Sequence, residues 1–373
     1  MIWEDEPIPE LWSRLQKTGK AVVLYGMGNG ADKILNICNE KGIPVREVFA
    51  SDAFVRGQSF RGMTVRRWSD VKETCGAQNV IVLLSFGSSL PEVLQNIQAI
   101  AAEAELYAPD VPVFGDGLFD LSFAHAHREE LTAARELLSD EESRRIFDLI
   151  LRYKLTGELP PLLAARSNPA QTMQTLVRPE ELKITADLGA YNGDSVRELL
   201  SFGAHPDKIY AVEPDTRNFR KLEEYAVHEE RTTVLPVHAA AWNTACSLRF
   251  DGSGNRNASA GLNRSSVLAD RPGKMVDIPA LPLDQILNGS PVNYIKYDVE
   301  GSEREALEGS AGSIRRSLPT LLVSLYHRNE DLFALPLYIH REFPEYRGYY
   351  LRRFGGIPAW DLNLYVRKEP IHE

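Results

Sequence analysis

Two aspartates, Asp187 and Asp194, bracket a glycine turn in the stretch ITADLGAYNGDSVRELL, residues 184–200. Its pattern reads as an apolar strand, a turn carrying Gly189 and Gly193, and a helix. A pyrophosphate at such a helix start needs the positive end of the dipole uncompromised. Two carboxylates repel it. A ligand with a sulfonium and an amino group is the reverse case, because nearby carboxylates attract both cations. A carboxylate on that ligand still finds backbone N–H groups in the turn. Glu213, in YAVEPD, ends the next apolar run, where an acid accepts hydrogen bonds from both hydroxyls of a ribose. Together these features describe a seat for S-adenosylmethionine better than one for a dinucleotide. Asp194 is also well placed to cap the helix, and the two roles are compatible.

Three further residues fall where chains of this pattern place ligands, beyond the carboxyl ends of strands. Asp298 and Glu300 follow YIKY in YIKYDVEG, and His327 follows LLVSLY. Methyl transfer to a hydroxyl needs the acceptor positioned and its proton removed. His327 and Asp298 are the catalytic candidates, His327 as general base or metal ligand. Asp298 and Glu300 alternate along a strand and so point to opposite sides, unless the strand has already ended. Asp298 is expected to face the methyl group and Glu300 to anchor the turn at Gly301. A divalent cation held by Asp298 and His327 is conceivable, but two ligands are too few to assign one.

These residues must be positioned by strands, and the chain supplies them in two blocks. In the second block KITADLGA, KIYAVEP, TTVLPVHAAAW, VNYIKYDVEG, TLLVSLYHR, YRGYYLRRF and DLNLYVRK read as strands. The last two are joined by a short Gly-Gly-Ile-Pro link that suits an antiparallel hairpin. Seven strands ending in a hairpin outline a class I methyltransferase sheet. The first block reads strand, glycine turn, helix in KAVVLYGMGNGADKILNICNEKG. A strand follows in VREVFASD and another in NVIVLLSF, then helical periodicity in LPEVLQNIQAIAAEA before VPVFGD. The fold class expected is therefore α/β, with two Rossmann-like domains joined by a helical connector. The boundaries expected are 1–123, 124–175 and 176–373. In the connector, Ser139 and Glu142 have capping-box spacing, and Pro160-Pro161 should stop the second helix. His125 and His127 there read as surface residues.

Composition sets the class. The chain has 373 residues, too many for one average domain, with 43% hydrophobic and 25% charged residues, as in ordinary globular proteins. Its formal net charge is -10, and it has no Lys/Arg block of the kind a nucleic-acid surface needs. Small-molecule partners are expected, with no nucleic acid and no membrane; the oligomeric state is not legible. Cys38, Cys75 and Cys246 are scattered and odd in number, which argues against a disulfide framework or zinc site and for a reducing, cytoplasmic setting. The acidic opening MIWEDEPIPE does not read as a signal peptide.

A second glycine loop, Gly26-Met-Gly28-Asn-Gly30-Ala31, matches the G-x-G-x-x-G/A pattern, with Asp52 near the end of the following strand. Gly26, Gly28, Ala31 and Asp52 are candidates for a nucleotide site. A turn that needs glycine only for packing is the alternative.

DLGAYNGDS, YAVEPDTRNFRKLEEY, IPALPLDQIL and YIKYDVEGSEREALEGS together resemble the FkbM-type S-adenosylmethionine-dependent methyltransferases, over roughly Leu176 to Lys368. That resemblance implies a class I fold, S-adenosylmethionine as methyl donor, and O-methylation of sugars, glycans or small metabolites. It places Asp187, Gly189, Gly193 and Glu213 in the cofactor pocket, and Ala240, Ala241 and Trp242 near the adenine. Ala190, Tyr191, Asp194, Ser195, Pro214 and Asp298 complete the candidate set. After the fifth strand the chain departs from the commonest pattern with VSLYHRNEDLFALP, which leaves the acceptor open. The polar stretch Asp251–Ser266 and the segment His327–Pro336 are expected to shape the acceptor pocket. The first domain is loosely similar to nucleotide-sugar-binding domains of bacterial sugar-modifying enzymes. The competing readings are an NAD-dependent oxidoreductase or epimerase using the first loop, and a non-catalytic protein that binds S-adenosylmethionine or a nucleotide sugar.

Overall fold

The computed structural model describes residues 8–251 and 275–371. Helix α1 (Leu11–Lys17) precedes β1 (Ala21–Tyr25), α2 (Asn29–Glu40), β2 (Val45–Phe49), β3 (Ser59–Phe60), β4 (Met63–Arg66) and α3 (Trp68–Cys75). Then come β5 (Val80–Leu84), α4 (Pro91–Glu103) and β6 (Glu105–Tyr107). These strands form a six-stranded sheet in the order β3-β4-β2-β1-β5-β6. Strands β1 and β5 are buried throughout, as expected for central parallel strands covered on both faces. The last strand is Glu105–Tyr107, and VPVFGD forms none. The β3–β4 hairpin had no signal in the sequence, because its strands are two and four residues long.

Helices α5 (Leu121–Ala126), α6 (Arg128–Leu137), α7 (Glu141–Thr156), α8 (Leu159–Ala164) and α9 (Pro169–Thr172) follow, with a π-helical turn at Met173–Val177. Two local expectations are corrected here. The start of α7 is capped by Asp140, whose side chain accepts from the Ser143 amide at 2.8 Å, and not by Ser139. The Ser139 hydroxyl instead accepts from the Tyr349 amide. Pro160-Pro161 does not end α7: Gly157 does, in the left-handed conformation that suits a residue without Cβ. The prolines open α8, where a missing N–H costs nothing.

The second sheet is built from β7 (Ile184–Leu188), α10 (Asp194–Ser201), β8 (Lys208–Val212), α11 (Thr216–His228) and β9 (Thr233–Val237). Strand β10 (Ala240–Ala241) leaves this sheet and joins β11 (Cys246–Asp251) and β12 (Met275–Leu281) in a three-stranded one. Then α12 (Leu283–Leu287) leads to β13 (Tyr294–Tyr297), α13 (Glu303–Glu308), α14 (Ala311–Ser317) and β14 (Thr320–Ser324). Helix α15 (Asp331–Glu342), β15 (Gly348–Arg353) and β16 (Leu362–Arg367) complete it. The strand order is β15-β16-β14-β13-β7-β8-β9, seven strands, with β16 antiparallel to both its neighbours and the rest parallel. This is the expected class I arrangement. The chain order reverses between β7 and β13, and a ligand site is expected at that switch point.

The two sheets share one hydrophobic core, running from Val23 and Val82 through Ile146 and Ile150 to Ile295 and Leu364. Helix α7 packs on β15 and α6 on α15, so the connector is part of the core. Arg353 is fully buried and donates to the carbonyls of Leu162, Gly356 and Pro358. Asp140 also pairs with Arg352 at 2.5 Å, the arginine side chain being 8% exposed. Burial works against the charge on Asp140, but Arg352 and Ser143 hold its pKa below the usual value. A carboxylate depressed in the folded state contributes stability above its unfolded pKa and loses it as pH falls through the folded one. Asp140→Ala removes a cap and one member of a buried pair, and is expected to cost about 3 kcal/mol at neutral pH. Urea denaturation measures it, and an unchanged midpoint would show that this contact carries no stability.

Candidate functional site

The sequence Asp187-Leu-Gly-Ala-Tyr-Asn-Gly-Asp194 makes the turn from β7 into α10 in a conformation few residues tolerate. Gly189 has φ +87°, and a Cβ there would lie 1.9 Å from the Asp298 carbonyl oxygen, so β7 and β13 meet only because position 189 has no side chain. Tyr191 is itself left-handed at φ 47°. That turns its amide toward Glu213, whose Oε2 accepts from it at 2.9 Å. Glu213 Oε1 accepts from the Asp215 amide at 2.9 Å. Burial pushes the Glu213 carboxyl up to about 8 against those backbone donors.

A cavity of about 390 Å³ opens at the ends of β7, β8 and β13. Asp187, Gly189, Tyr191, Asp194, Ser195, Glu213, Pro214, Ala240, Ala241 and Asp298 all line it, as do Lys296, Glu300 and Tyr326. Ala190 and Gly193 act from behind: Ala190 is buried in a core cluster with Val196, and Gly193 precedes α10 with φ 84°. Trp242 packs instead against the cluster of Ala240, Leu248, Ile278 and Ala280.

The wall is acidic. Asp187, Asp194, Glu198, Glu213, Asp298, Glu300 and Asp361 line it, against Lys296 as the one lysine or arginine among the described residues. Lys296 bridges Asp187 at 3.4 Å and Asp298 at 3.3 Å. Burial disfavours its charge, but the two aspartates hold its pKa above the ordinary lysine value. Asp187 Oδ2 accepts from the Ser195 hydroxyl at 2.5 Å, while its buried Oδ1, the oxygen that Lys296 faces at 3.4 Å, has no hydrogen bond among the described residues. Charge-paired but without a hydrogen bond, that oxygen keeps acceptor capacity for a ligand's donor. The acceptor set fits S-adenosylmethionine: Asp187 and Asp194 for the cationic methionine end, Glu213 for the ribose diol.

At the other end the chain makes a turn that alternation does not describe. Strand β13 stops at Tyr297, and Glu300 is left-handed at φ 53°. Asp298 and Glu300 therefore both border the cavity, which corrects the expectation that only one does. His327 lies behind them, fully buried, with Nε2 3.6 Å from Asp298 Oδ1 and 3.7 Å from Glu300 Oε2. Its Nδ1 is 2.9 Å from Glu303 Oε1. Burial disfavours the imidazolium, yet Glu303, Glu300 and Asp298 override it and raise its pKa to about 10. A histidine charged at neutral pH and closed off from solvent is an electrostatic support more than a base.

Burial also opposes ionisation of Asp298, but Lys296, His327 and the hydroxyls of Tyr326 and Ser324 hold it down to about 2. The hydroxyls donate at 2.9 and 3.0 Å. Glu300 differs: burial pushes it up to about 7, with His327 pulling the other way. A carboxylate that titrates near neutrality on a cavity wall is the natural proton acceptor here. The sequence carries no mark that separates Glu300 from Asp298 in this respect. No cluster of three or more His, Cys, Asp or Glu side chains able to hold a metal ion occurs among the described residues.

Of the acceptor-pocket expectations, residues 252–266 lie outside the described residues. The segment after His327 runs into α15, where buried Asp331 accepts from the Arg328 amide at 2.8 Å. In the first domain, Gly28 has φ 106° and precedes α2, Gly26 sits under the Phe86 ring, Ala31 is buried, and Asp52 is exposed on a short 3₁₀ turn. Their neighbours Met27, Asn29, Gly30 and Lys33 border a second cavity between the domains.

Sheet order, acidic turn and the buried glutamate after β8 define the carboxy-terminal half as a class I S-adenosylmethionine-dependent methyltransferase domain. Residues 187–354 match the family model of the methyltransferase FkbM domain, so this half of the chain carries a domain of that family. Among solved structures the chain is similar to the methyltransferase FkbM from Methylobacillus flagellatus KT. That match has 19% identity and a TM-score of 0.69, covering 95% of this chain and 92% of that one. It shows that the whole two-sheet architecture recurs there. Weaker similarity extends to an rRNA methylase from Streptococcus thermophilus, at 13% identity and TM-score 0.35, covering 54% of this chain and 96% of that one. The Aeropyrum pernix fibrillarin with natively bound S-adenosyl-L-methionine matches at 14% identity and TM-score 0.31, covering 53% and 72%. None of the curated proteins matches the chain. No helix among the described residues is long and apolar enough to cross a membrane.

Proposed function

We propose that the protein methylates a hydroxyl oxygen of a small, sugar-like acceptor. The observation that carries this reading is Glu300: a carboxylate on the cavity wall, raised to about 7 by burial, with a buried imidazolium behind it. Amines deprotonate without help more readily than alcohols, so a built-in base of this kind is most useful to an oxygen nucleophile. S-adenosylmethionine supplies an electrophilic methyl group. Glu213 would accept from its ribose hydroxyls, and Asp187 and Asp194 would hold its cationic end. Glu300 would accept the acceptor hydroxyl's proton as a new oxygen–methyl bond replaces the methyl–sulfur bond, with S-adenosylhomocysteine leaving as a neutral thioether. His327 and Lys296 keep the charge at Asp298 and Glu300 balanced throughout, so neither carboxylate has to move.

The test is incubation with S-adenosylmethionine labelled in the methyl carbon and a panel of hydroxylated ring compounds with matched amines. Label recovered in an ether linkage is the expected result. Label found only on nitrogen or carbon would overturn O-methylation while leaving the methyltransferase domain intact.

A further inference from the structure

The second cavity, of about 250 Å³, lies between the two sheets. Its floor is the start of α2, with Asn29, Gly30 and Lys33. Its ceiling comes from the other domain, with Tyr326 and the segment Ile357–Trp360. Tyr326 belongs to the walls of both cavities, and its hydroxyl donates to Asp298. The seam is held shut around this space. The Ser88 and Ile357 amides each donate to the other's carbonyl, at 2.8 and 3.1 Å. The Phe114 amide donates to the His327 carbonyl at 2.8 Å, and the Arg328 guanidinium lies over the Phe114 ring at 4.3 Å. Lys33 is fixed by the Pro112 and Val113 carbonyls at 2.7 and 2.8 Å; burial lowers its pKa, and the charge of Glu300 offsets that only in part. The amino-terminal domain thus meets the neighbourhood of the base across Tyr326, which borders the second cavity with Lys33 and the first with Glu300.

We infer that this interdomain cavity is the acceptor site, and that it takes a single hydroxylated ring with one apolar face, of monosaccharide size. The inference rests on the O-methyl-transfer reading above and names its substrate class. Size supports it: cavities that enclose whole drug-sized ligands start near 300 Å³, so this one holds one ring and not an entire nucleotide-linked sugar. Chemistry supports it too. Phe86, Val111 and Pro358 give an apolar wall, and the Trp360 ring lies so flat on Gly87 that a Cβ there would meet it at 2.4 Å. Polar groups stand at the edge: Lys33, and Lys154 paired with Asp110 at 2.8 Å. An apolar surface with a few fixed polar groups orients a ring and presents one hydroxyl past Tyr326 toward Glu300. The amino-terminal glycine loop on this reading shapes an acceptor pocket and does not hold a dinucleotide.

The experiment is saturation-transfer NMR with methyl α-L-rhamnopyranoside, in the presence of saturating S-adenosylhomocysteine whose binding is followed by calorimetry. The wild type should transfer magnetisation to the apolar-face protons of the sugar. Asn29→Trp, an exposed position bordering the cavity, should abolish the signal by filling the space. Trp360→Ala should weaken the sugar at least threefold. Both variants should keep S-adenosylhomocysteine affinity within twofold. If Asn29→Trp does not fold, Trp360→Ala carries the test. An equal signal in either variant, or no signal from a wild type that binds S-adenosylhomocysteine, overturns this inference alone. A wild type that does not bind S-adenosylhomocysteine overturns the underlying reading and this one with it.

Discussion

Glu300→Gln will lower kcat for methyl transfer by roughly a thousandfold, the middle of the range for removing a general base, while S-adenosylhomocysteine binds with little change. The substitution is nearly isosteric and keeps the turn. It removes only the proton-accepting charge. Kinetics on the acceptor identified by the panel would check it, with calorimetry beside them. A loss of less than tenfold would take the base role away from Glu300. The pH profile makes the same point independently. With the carboxyl at about 7 in the ligand-free protein, kcat/KM should rise with pH below 7 and level off above it. The limb in kcat should lie lower, because a bound cation favours the carboxylate. Both limbs should vanish in the variant.

His327 should then behave as a positioning residue. Its charge pulls Glu300 down, so His327→Gln is expected to move the acid limb to higher pH while a large part of kcat remains at pH 9. A general base in that place would give the opposite pattern, a uniform loss at every pH. The readout separates the two roles even where the variant is less stable.

Much of this was legible in the residues, for physical reasons that can be named. Strands β8 and β14 are nearly continuous apolar runs because helices cover both faces of their sheet, so they stand out in a hydropathy reading, whereas β7 and β13 carry Asp187 and Lys296 and are recognised with the turns that follow them. Asp187 and Asp194 stand out because their charge conflicts with a phosphate and agrees with a cation, Gly189 and Gly193 because they mark the turn, and Glu213 because it ends an apolar run. Glu300 did not, and the reason is local. Alternation assigns it to the far side of a strand, but the strand ends at Tyr297 and the chain turns left-handed at Glu300, which reverses the parity. Strands β11 and β12 were missed because they flank a polar stretch and pair only with each other and the two-residue β10. The start of α7 offered two adjacent capping residues, and tertiary pairing with Arg352 decided for Asp140. The interdomain cavity had no sequence signal at all: Lys33, Tyr326 and Trp360 are brought together only by the seam.

Glu213→Ala will weaken S-adenosylhomocysteine by about a hundredfold. A carboxylate accepting two ribose hydroxyls makes charge-assisted hydrogen bonds of about 1.5–3 kcal/mol each, and losing both accounts for two decades even after water partly replaces them. Alanine also leaves the Tyr191 and Asp215 amides without their acceptor, so the turn itself loosens, and Glu213→Gln isolates the charge from that effect. The sign of the pH dependence follows from a carboxyl raised to about 8 from an ordinary 4.5. A raised carboxyl contributes stability that is complete below its unfolded pKa and lost as pH rises through the folded one. The ligand-free wild type should therefore lose stability relative to Glu213→Gln between about pH 4.5 and 8. Ligand affinity runs the other way, because the ribose hydroxyls need the ionised form. It should climb toward tenfold per unit between pH 6 and 7, flatten above 8, and show no such climb in Glu213→Gln. Calorimetry across that range decides the matter: an affinity in the wild type that is flat with pH would mean that the ribose does not sit on Glu213.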